Sequence, residues 1–285
     1  MHKTWFITGA SSGFGLIMTE KLLQRGDQVA VTIRKTSDRK AIDLLKEKHQ
    51  QRLHIFELDL TSSFDEIEKV VKQVFTVLPQ IDVLVSNAGY VLLGALEELN
   101  ETQIQQQIST NLLGPIFLIK AFVPYFRAQR KGHIVQVSSE AGQISYPALT
   151  AYHASKWGVE GFCESLAREL VMFNIKVTII EPGRTATLFD DNAVLSETLH
   201  PEYQKTTVGN YRRLIAMGKF PNVGNAHKVV DAMISVTEQD QAPIRLTLGS
   251  DAFRNIHKAL SGRLKALEDQ KEQAFSTDIH KHNDI

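Results

Sequence analysis

A tyrosine and a lysine stand four residues apart in the stretch AYHASKWGVEGF, at Tyr152 and Lys156. On a helix, side chains at positions i and i+4 are neighbours, with Cβ atoms about 5–6 Å apart, so the ammonium would lie beside the hydroxyl. That positive charge favours the phenolate and lowers the tyrosine pKa from its ordinary value of about 10. The pair is therefore a candidate for general acid/base catalysis. The alternative is an exposed helix face that carries both residues by chance.

A glycine-rich turn follows the first apolar run of the chain, in FITGASSGFG, with glycines at Gly9, Gly13 and Gly15. Glycines let the backbone approach a ligand closely, and the start of a helix presents unpaired N–H groups that attract an anion. This position after a first strand predicts a site for the pyrophosphate of a nucleotide. The spacing is Gly-x-x-x-Gly-x-Gly rather than the common Gly-x-Gly-x-x-Gly. An ordinary turn between a strand and a helix is the alternative.

The elements that must position these residues alternate along the chain. Apolar runs predict strands near Thr4–Thr8, Val29–Ile33, His54–Glu57, Asp82–Ser86, His133–Val137, Lys176–Ile180 and Arg245–Leu248. Periodic patterns predict helices near Leu16–Arg25, Arg39–Lys48, Phe64–Phe75, Glu101–Gln129, Ala151–Phe173 and Asn225–Val236. This alternation predicts an α/β fold, with a parallel sheet covered by helices on both faces. Pro115 and Pro124 are expected to kink the long helix that contains them.

The 285 residues are expected to form a single domain with two distinctive segments. Residues 184–221 form a long segment with weak periodicity, which is typical of a substrate-binding loop or lid. Residues from about 253 to 285 form a C-terminal helix and a tail. His280 and His282 in that tail are interpreted as part of a solvated end rather than as metal ligands.

Composition excludes several classes of protein. The chain is 43% hydrophobic and 22% charged, and its 32 acidic and 32 basic residues leave no net charge to attract nucleic acid or an anionic membrane. Cys163 is the only cysteine, so we predict no disulfide framework and no cysteine-based metal site, and we interpret Cys163 as a packing residue. No other residues are predicted to bind a metal. The chain enters a strand at once, which leaves no room for a signal peptide, and no apolar run was expected to reach the length of a membrane span. A cytoplasmic protein is expected.

The motifs together resemble the short-chain dehydrogenase/reductase (SDR) family, in its compact branch. They are TGASSGFG at Thr8–Gly15, NAG at Asn87–Gly89, Asn111, SS at Ser138–Ser139, YHASK at Tyr152–Lys156 and EPGRTAT at Glu181–Thr187. The resemblance covers residues 1 to about 187. It implies a doubly wound Rossmann fold and an oxidoreductase that transfers hydride between a nicotinamide and a carbonyl or secondary alcohol.

The resemblance also implies catalytic roles. Tyr152 is the general acid/base, and Lys156 lowers its pKa and binds the nicotinamide ribose. The family's serine lies thirteen residues before the tyrosine, which selects Ser139 over Ser138 for the hydroxyl that polarises the carbonyl. Asn111 corresponds to the asparagine that holds a water in a proton relay. Taken singly, the serines could merely end a strand, and Asn111 could satisfy the backbone of a bent helix.

The cofactor is predicted to be NADP(H) rather than NAD(H). Ile33 occupies the position where NAD-preferring relatives carry Asp, and Arg34 and Lys35 follow it, so a 2′-phosphate would meet positive charge and no carboxylate. The alternative is a solvated basic turn. Ser12 departs from NADP-dependent relatives that have a further basic residue there. The resemblance implies cofactor contacts from Gly9, Ser11, Ser12, Gly13, Phe14, Gly15, Arg34, Lys35, Asp59, Leu60, Asn87, Ala88, Gly89, Tyr152, Lys156, Pro182, Gly183, Thr185 and Thr187.

The substrate pocket is predicted from segments that follow strands at the carboxyl edge of the sheet, namely 90–93, 143–147 and 184–221. Their apolar residues favour a medium-sized hydrophobic ketone or aldehyde, and the predicted substrate contacts are Ser139, Tyr146, Leu188 and Tyr211. Leu195, Tyr203, Phe189 and Phe220 are expected to add to the lining. Arg184 could contact either substrate or cofactor. Arg212, Arg213 and Lys219 could meet a substrate carboxylate or simply solvate a helix face.

Two other functions were weighed. A nucleotide-sugar epimerase or dehydratase of the extended SDR branch is disfavoured by the glycine spacing. A non-catalytic NADP(H)-binding regulator is disfavoured because such proteins typically lose the tyrosine, lysine or serine. The family resemblance also implies a homodimer or homotetramer through the helices near 101–129 and 151–173. Phe117, Phe122 and Phe162 on these helices were expected to exceed what one core can absorb.

Overall fold

The computed structural model describes residues 2–187, 193–219 and 223–279. Its strands are β1 (Thr4–Thr8), β2 (Gln28–Ile33), β3 (Leu53–Glu57), β4 (Val83–Ser86), β5 (Leu92–Leu93), β6 (Gly132–Val137), β7 (Ile175–Pro182), β8 (Val194–Leu195) and β9 (Arg245–Leu248). Its helices are α1 (Gly13–Arg25), α2 (Lys40–Lys48), α3 (Phe64–Val77), α4 (Glu101–Ile108), α5 (Gly114–Gln129), α6 (Thr150–Leu170), α7 (Thr207–Ala216), α8 (Ala226–Val236), α9 (Ser250–Glu268) and α10 (Lys271–Phe275). Every strand predicted from the sequence is present.

Seven strands form one sheet in the order β3-β2-β1-β4-β6-β7-β9, and all neighbouring pairs are parallel. From β1 the chain first winds outward to β3 and then, from β4 onward, winds in the opposite direction. The strand order therefore reverses between β1 and β4, and the carboxyl ends of the strands open a crevice there. The prediction of a doubly wound Rossmann fold is confirmed.

Alternating residues of β1 pack on opposite faces of the sheet. Phe6 belongs to the apolar layer under α3, α5 and α6, whereas Trp5 and Ile7 belong to the layer under α1, α2 and α8. Side chains of a strand point alternately to its two sides, so a run of consecutive apolar residues is the pattern expected of a strand covered on both faces. The predicted crowding of phenylalanines is wrong: Phe122 is fully buried, and Phe117 and Phe162 pack against the same layer.

Local sequence signals set several helix ends. Ser63 accepts a hydrogen bond from the Glu66 N–H while the Glu66 carboxylate accepts one from the Ser63 N–H, which is a capping box at the start of α3. Gly26 ends α1 with a φ of 97°, a left-handed conformation that glycine adopts without steric cost. These signals place the ends of α1 and α3 beside the strands that they connect.

The long predicted helix is interrupted just before the first of its two prolines. Residues Ser109–Leu113 form a π-helical turn between α4 and α5. Pro115 follows in the first turn of α5, where it has no N–H to bond the Asn111 carbonyl, and Pro124 lies inside α5 without ending it. A π turn within an α-helix often marks a functional residue. Here the turn contains Asn111.

Among the described residues, the helical stretch Glu101–Gln129 is long and apolar enough, by length and composition, to cross a membrane. The expectation that no apolar run reaches that length is therefore corrected. In the structure, this stretch directs Leu118, Phe122 and Phe126 into the apolar layer that it shares with α3 and α6.

The segment after β7 is more ordered than its weak periodicity predicts. Within its described residues, β8 pairs in parallel with β5, so that Leu92 lies opposite Val194 and Leu93 opposite Leu195. The helix α7 follows a 3₁₀ turn at Pro201–Tyr203. Leu188, Phe189 and Phe220 lie outside the described residues, as do His280 and His282. The interpretation of 184–221 as a lid remains a prediction.

Candidate active site

The predicted site residues gather where strands of the main sheet end. Gly9 follows β1, Asn87 follows β4, Ser139 follows β6 and Gly183 follows β7. Because these strands are parallel, their carboxyl ends lie along one edge. The topology thus brings together motifs that are spread over about 180 residues of sequence.

The turn after β1 requires its glycines. Gly9 and Gly13 have φ values of 69° and 55°. A Cβ on Gly9 would lie 2.9 Å from the Ala88 Cα, and one on Gly15 would lie 2.4 Å from the Gly9 carbonyl oxygen. Any larger residue would therefore push the turn away from β4 and from α1.

Thr8 and Asn87 hold this turn in place. The Thr8 hydroxyl oxygen accepts hydrogen bonds from the N–H groups of Asn87 and Ala88, each at 3.0 Å. The Asn87 Nδ2 donates to the carbonyl oxygens of Thr8 at 2.8 Å and Gly9 at 3.2 Å. Asn87 therefore acts as a clamp between the ends of β1 and β4.

The N-terminus of α1 fits an anionic group. Ser12 is the N-cap residue of α1, and its side chain makes no capping hydrogen bond. The first turn of this fully described helix carries no acidic side chain. Its first N–H groups have no partner within the helix and face the glycine turn. Thr187, after β7, comes within 4.0 Å of the point where a Cβ on Gly13 would lie. These residues could hold the pyrophosphate of a dinucleotide.

Tyr152 and Lys156 lie in the first turns of α6, and both are buried. The Lys156 Nζ donates a hydrogen bond to the Val137 carbonyl oxygen at 3.1 Å and lies 5.7 Å from the centroid of the Tyr152 ring. Burial lowers the pKa of Lys156 to about 8, against the opposing effect of the Glu160 carboxylate. When protonated, the amine places its positive charge beside the phenol.

The two serines after β6 have different environments. The buried Ser138 hydroxyl donates to the Glu160 Oε1 at 2.5 Å. The Ser139 Oγ accepts from the Ala141 N–H at 3.2 Å, and its residue is only partly buried. Ala141 in turn packs in one apolar cluster with Tyr152. The Ser138 hydroxyl is therefore engaged by Glu160, and Ser139 remains the serine that is predicted to act with the tyrosine.

Asn111 is buried in the π turn and reaches across to the chain after β4. Its Nδ2 donates to the Tyr90 carbonyl oxygen at 2.8 Å, and its Oδ1 accepts from the Tyr90 N–H at 3.1 Å. Asn111 thus satisfies the backbone of a neighbouring segment rather than that of its own helix. A Cβ on Gly89 would come within 3.2 Å of the Asn111 Oδ1, so glycine permits this approach. Its role in a proton relay remains a prediction.

The predicted 2′-phosphate region lies after β2. Ile33 is buried, whereas Arg34 and Lys35 are exposed. The nearby Arg39 is already paired with Asp43 at 3.4 Å and Glu57 at 3.3 Å. Asp59 is exposed, and its Oδ1 accepts from both the N–H and the hydroxyl of Thr61. Arg34 and Lys35 are therefore the basic groups of this turn that could meet a phosphate.

The predicted substrate contacts converge on α6. Tyr146 and Tyr211 stack with centroids 5.8 Å apart and an interplanar angle of 18°. They belong to the apolar cluster around Tyr152, together with Leu93, Leu149, Val208 and Ile215. Leu195 is mostly exposed on β8 and lies outside this cluster. Leu188, the remaining predicted contact, falls outside the described residues.

Arg212 has a structural partner that neither sequence interpretation anticipated. It forms an ion pair with the Glu98 carboxylate, which is 3% exposed. The hydrogen bonds from Arg212, and then those from the N–H groups of His200 and Ala95, lower the pKa of Glu98 to about 2. Arg213 donates to the Gln204 carbonyl oxygen. Arg212 therefore holds α7 against the loop after β5. The Glu98 carboxylate is ionised at neutral pH.

Three buried carboxylates near the site were missed. Glu160, one turn beyond Lys156, accepts from Ser138 and forms an ion pair with Arg245 of β9, which also pairs with Glu181 at 2.6 Å. Glu140, beside Ser139, accepts from the Tyr146 hydroxyl at 3.0 Å and from the Asn255 Nδ2 at 2.9 Å. A glutamate within the apolar face of a buried helix was the sequence signal for Glu160. Glu140 and Asn255, separated by more than a hundred residues, gave no such signal.

Two further sequence interpretations can be assessed here. Cys163 lies in the apolar layer, where burial raises the pKa of its thiol to about 12, so it packs as predicted and is a poor nucleophile. Arg184 donates its N–H to the Asp251 Oδ2 at 2.9 Å, which ties the turn after β7 to α9. Among the described residues no cluster of histidine, cysteine, aspartate or glutamate has the arrangement of a metal site.

Comparison with known proteins agrees with the geometry. The sequence pattern of the short chain dehydrogenase family matches residues 3–197. The chain is 35% identical over 259 residues to the oxidoreductase BOA17 of Botryotinia fuckeliana (strain B05.10), covering 91% of this chain and 93% of that protein. It is 34% identical over 253 residues to retinol dehydrogenase 8 of Homo sapiens, covering 85% of this chain and 80% of that protein.

A solved structure gives the same result. A short-chain dehydrogenase from Streptomyces avermitilis superposes on the chain with a TM-score of 0.88 at 34% identity, covering 97% of this chain and 98% of that one. These similarities do not favour the nucleotide-sugar enzyme or the non-catalytic regulator. The family pattern extends over more than half of the sequence, and the similar proteins span most of it. The chain is therefore an oxidoreductase that belongs to the short-chain dehydrogenase family.

Proposed function

We propose that this protein is an NADP(H)-dependent reductase or dehydrogenase that interconverts a medium-sized hydrophobic ketone or aldehyde and its alcohol. The observation that carries the proposal is that the Lys156 Nζ lies 5.7 Å from the centroid of the Tyr152 ring, while Ser139 and the glycine turn follow strands at the same edge of the sheet. Each of the three has a counterpart in the family motif. Their positions along the sheet edge give one reacting centre next to one nucleotide site.

The side chains have complementary roles in the proposed reaction. Reduction places negative charge on the carbonyl oxygen, so the site needs a proton donor and a hydrogen-bond donor directed at that atom. Tyr152 gives the proton, and the Ser139 hydroxyl donates a hydrogen bond. The Lys156 ammonium stabilises the phenolate that remains. When bound, the nicotinamide supplies or accepts the hydride.

A panel assay tests the proposed activity. Purified protein is mixed with NADPH or NADH and with ketones, aldehydes, quinones and hydroxysteroids, and cofactor oxidation or reduction is followed. We expect turnover of apolar carbonyl compounds or of the corresponding alcohols. Binding of NADPH without turnover of any compound would instead support a non-catalytic protein.

Cofactor preference should depend on Arg34 and Lys35. Both residues are exposed, and the residue before them is Ile33 rather than an aspartate that would repel a phosphate. We therefore expect kcat/KM to be at least about tenfold higher with NADPH than with NADH, which corresponds to about 1.4 kcal/mol in activation free energy. Replacing Arg34 and Lys35 together with alanine should remove most of this difference by weakening NADPH use. The comparison avoids Ile33→Asp, because Ile33 is buried in the apolar layer with Ile7 and Ile42.

Arg39→Ala is the matched control for cofactor preference. Arg39 lies on the same turn but is neutralised by Asp43 and Glu57, so the NADPH/NADH ratio should be unchanged. Equal efficiency of the unmodified protein with both cofactors would refute the NADP(H) preference. Equal losses with both cofactors in the Arg34→Ala/Lys35→Ala variant would show a general rather than a phosphate-specific effect.

The apolar cluster around Tyr152 supports a hydrophobic substrate, as does the similarity to a protein named retinol dehydrogenase. Tyr211→Ala removes a ring that stacks on Tyr146, so it should change the ranking of carbonyl substrates in the panel. The dissociation constant for NADPH should stay within about twofold, because Tyr211 is not among the predicted cofactor contacts. Leu199→Ala, at an exposed position of the same segment, is the control. An unchanged ranking with weakened NADPH binding would make this segment a cofactor lid instead.

A further inference from the structure

Within the described part of the chain, helix α9 is buried along one face. Ala252 and Ile256 are buried, and Asn255 donates to the Glu140 carboxylate beside Ser139. Beyond Leu260, Arg263 still contacts Trp157 and Gln143 of the body, but every residue from Ser261 to Ile279 is exposed. The second half of α9 therefore projects from the body of the protein.

The outer face of α9 carries a regular apolar stripe, which we define as Phe253, His257, Leu260, Leu264 and Leu267. The four apolar members are between 48% and 67% exposed. His257 fills the remaining position and stacks on Phe253, with ring centroids 6.0 Å apart. The steps along the stripe are four, three, four and three residues, which is the heptad repeat of helices that pair side by side.

An uncovered helix with this pattern is unstable in water. Helices of this length gain most of their stability from packing of an apolar face, and among the described residues of its own subunit no side chain of the projecting half of α9 is buried. Large apolar side chains gathered on one exposed surface are typical of an interaction site. The adjacent Trp157 of α6 is 45% exposed and extends this surface, beneath the Arg263 guanidinium at 5.0 Å.

We propose that the stripe binds the same stripe of a second copy of this protein, so that two α9 helices pair in antiparallel orientation. With 19 residues, α9 is about 28 Å long, which is sufficient for more than two heptads of contact. This dimer differs from the one that family resemblance implies, which uses the helices near 101–129 and 151–173. It also leaves Asn255 free to keep its contact with Glu140 on the opposite face.

Two charged residues set the orientation. Arg254 and Glu268 are fourteen residues apart, at the same heptad position flanking the stripe. In an antiparallel pair centred near Ser261, Arg254 faces Glu268 of the partner subunit, and symmetry repeats this ion pair at the other end. A parallel pair would instead bring Arg263 next to Glu268 of the partner subunit, but Arg263 is engaged with Trp157 of its own chain.

The charge of α9 favours a protein partner over a membrane. Arg254, Lys258, Arg263 and Lys265 outnumber Asp251 and Glu268 by two within α9, and Asp269, Lys271 and Glu272 follow directly, so the whole stretch has a net charge of only +1. A helix that lies on an anionic membrane typically has a strongly basic polar face. The mixed charges of α9 are suited instead to pairing with an identical helix.

Analytical ultracentrifugation of the full-length protein at micromolar concentration tests the proposal. The unmodified protein should sediment as a dimer, and Leu264→Glu with Leu267→Glu should weaken dimerisation at least about a hundredfold, because two buried leucines are lost. These positions are exposed in the single subunit, so the variant should fold normally. Leu44→Glu, an equally exposed leucine on α2, should leave the dimer unchanged.

Charge reversal tests the orientation independently. Arg254→Glu and Glu268→Arg should each weaken the dimer about tenfold, and the double variant should restore it because the ion pairs are re-formed with opposite signs. Compensation by Arg263→Glu with Glu268→Arg, but not by Arg254→Glu with Glu268→Arg, would show a parallel pair and contradict the proposal. A monomeric unmodified protein would overturn it, as would a dimer insensitive to the two leucine changes. Binding of the monomer to anionic lipid vesicles through the stripe would assign the surface to a membrane.

Discussion

Replacing Tyr152 with phenylalanine is expected to lower kcat by about 10²–10⁴-fold, the usual contribution of a general acid or base. The change removes only the hydroxyl oxygen, so the apolar packing of the ring with Leu93, Ala141 and Leu149 should remain. Steady-state kinetics with a substrate found in the panel assay, together with the dissociation constant for NADPH, separate loss of chemistry from loss of binding. We expect the dissociation constant to change little.

Two further variants show whether the loss of kcat in Tyr152→Phe is specific to the proton donor. Tyr125→Phe removes a hydroxyl from a ring stacked on Phe75, far from the site, and should leave kcat unchanged. Lys156→Ala should impair both turnover and cofactor binding, because the ammonium lies beside the Tyr152 ring and is also the candidate for the ribose contact. Near-native kcat in the Tyr152→Phe variant would exclude this tyrosine as the proton donor.

Replacing Arg245 with methionine is expected to destabilise the protein by about 3–5 kcal/mol, because two carboxylates would stay buried without a counterion. Glu160 is 2% exposed and Glu181 is 1% exposed, and both form ion pairs with Arg245. The free energy of unfolding from urea titration measures this loss. Arg39→Met, which also breaks two ion pairs but at an exposed site, should cost no more than about 1 kcal/mol.

The cost of Arg245→Met should depend on pH. Burial already raises the pKa of Glu160, against the hydrogen bonds from Ser138 and Arg245, and removal of Arg245 raises it further. In the variant, folded protein then holds a proton at pH values where the unfolded chain has lost it, so stability falls as pH rises through that window. The difference from the unmodified protein should therefore be smaller near pH 5 than near pH 8. A loss independent of pH would attribute the effect to packing rather than to uncompensated charge.

Patterns that act over a few residues were sufficient to predict much of the fold. The apolar runs of β1, β2 and β4 predict buried parallel strands, because both faces of such a sheet are covered and alternation disappears. The glycine turn and the Tyr152/Lys156 spacing are likewise local, since a turn and one helical step bring their members together. For the same reason the sequence predicts a parallel sheet covered on both faces and the place of the nucleotide site, whereas the doubly wound architecture was implied by the family resemblance.

Contacts between distant segments were not predictable in this way. The break in the long helix falls at the π turn that contains Asn111, whose side chain binds the backbone of Tyr90 on another segment. The local rule for proline predicts a kink near Pro115, but it predicts neither the π turn nor this contact. Similarly, the sequence around Arg212 indicates only that this residue is solvated or contacts the substrate. Its ion pair with Glu98 depends on how α7 packs on the loop after β5.

The sequence by itself thus determined the strands of the main sheet and the α/β class, because these follow from periodicity, and the resemblance of its motifs implied the groups of the site. Only the tertiary structure decided that the Ser138 hydroxyl is engaged by Glu160 from a different element, which agrees with the selection of Ser139 by its spacing to Tyr152. It also decided that the apolar stripe of α9 is exposed among the described residues of one subunit. Burial and charge pairing depend on which surfaces meet, and that is a property of the packed chain rather than of any local pattern.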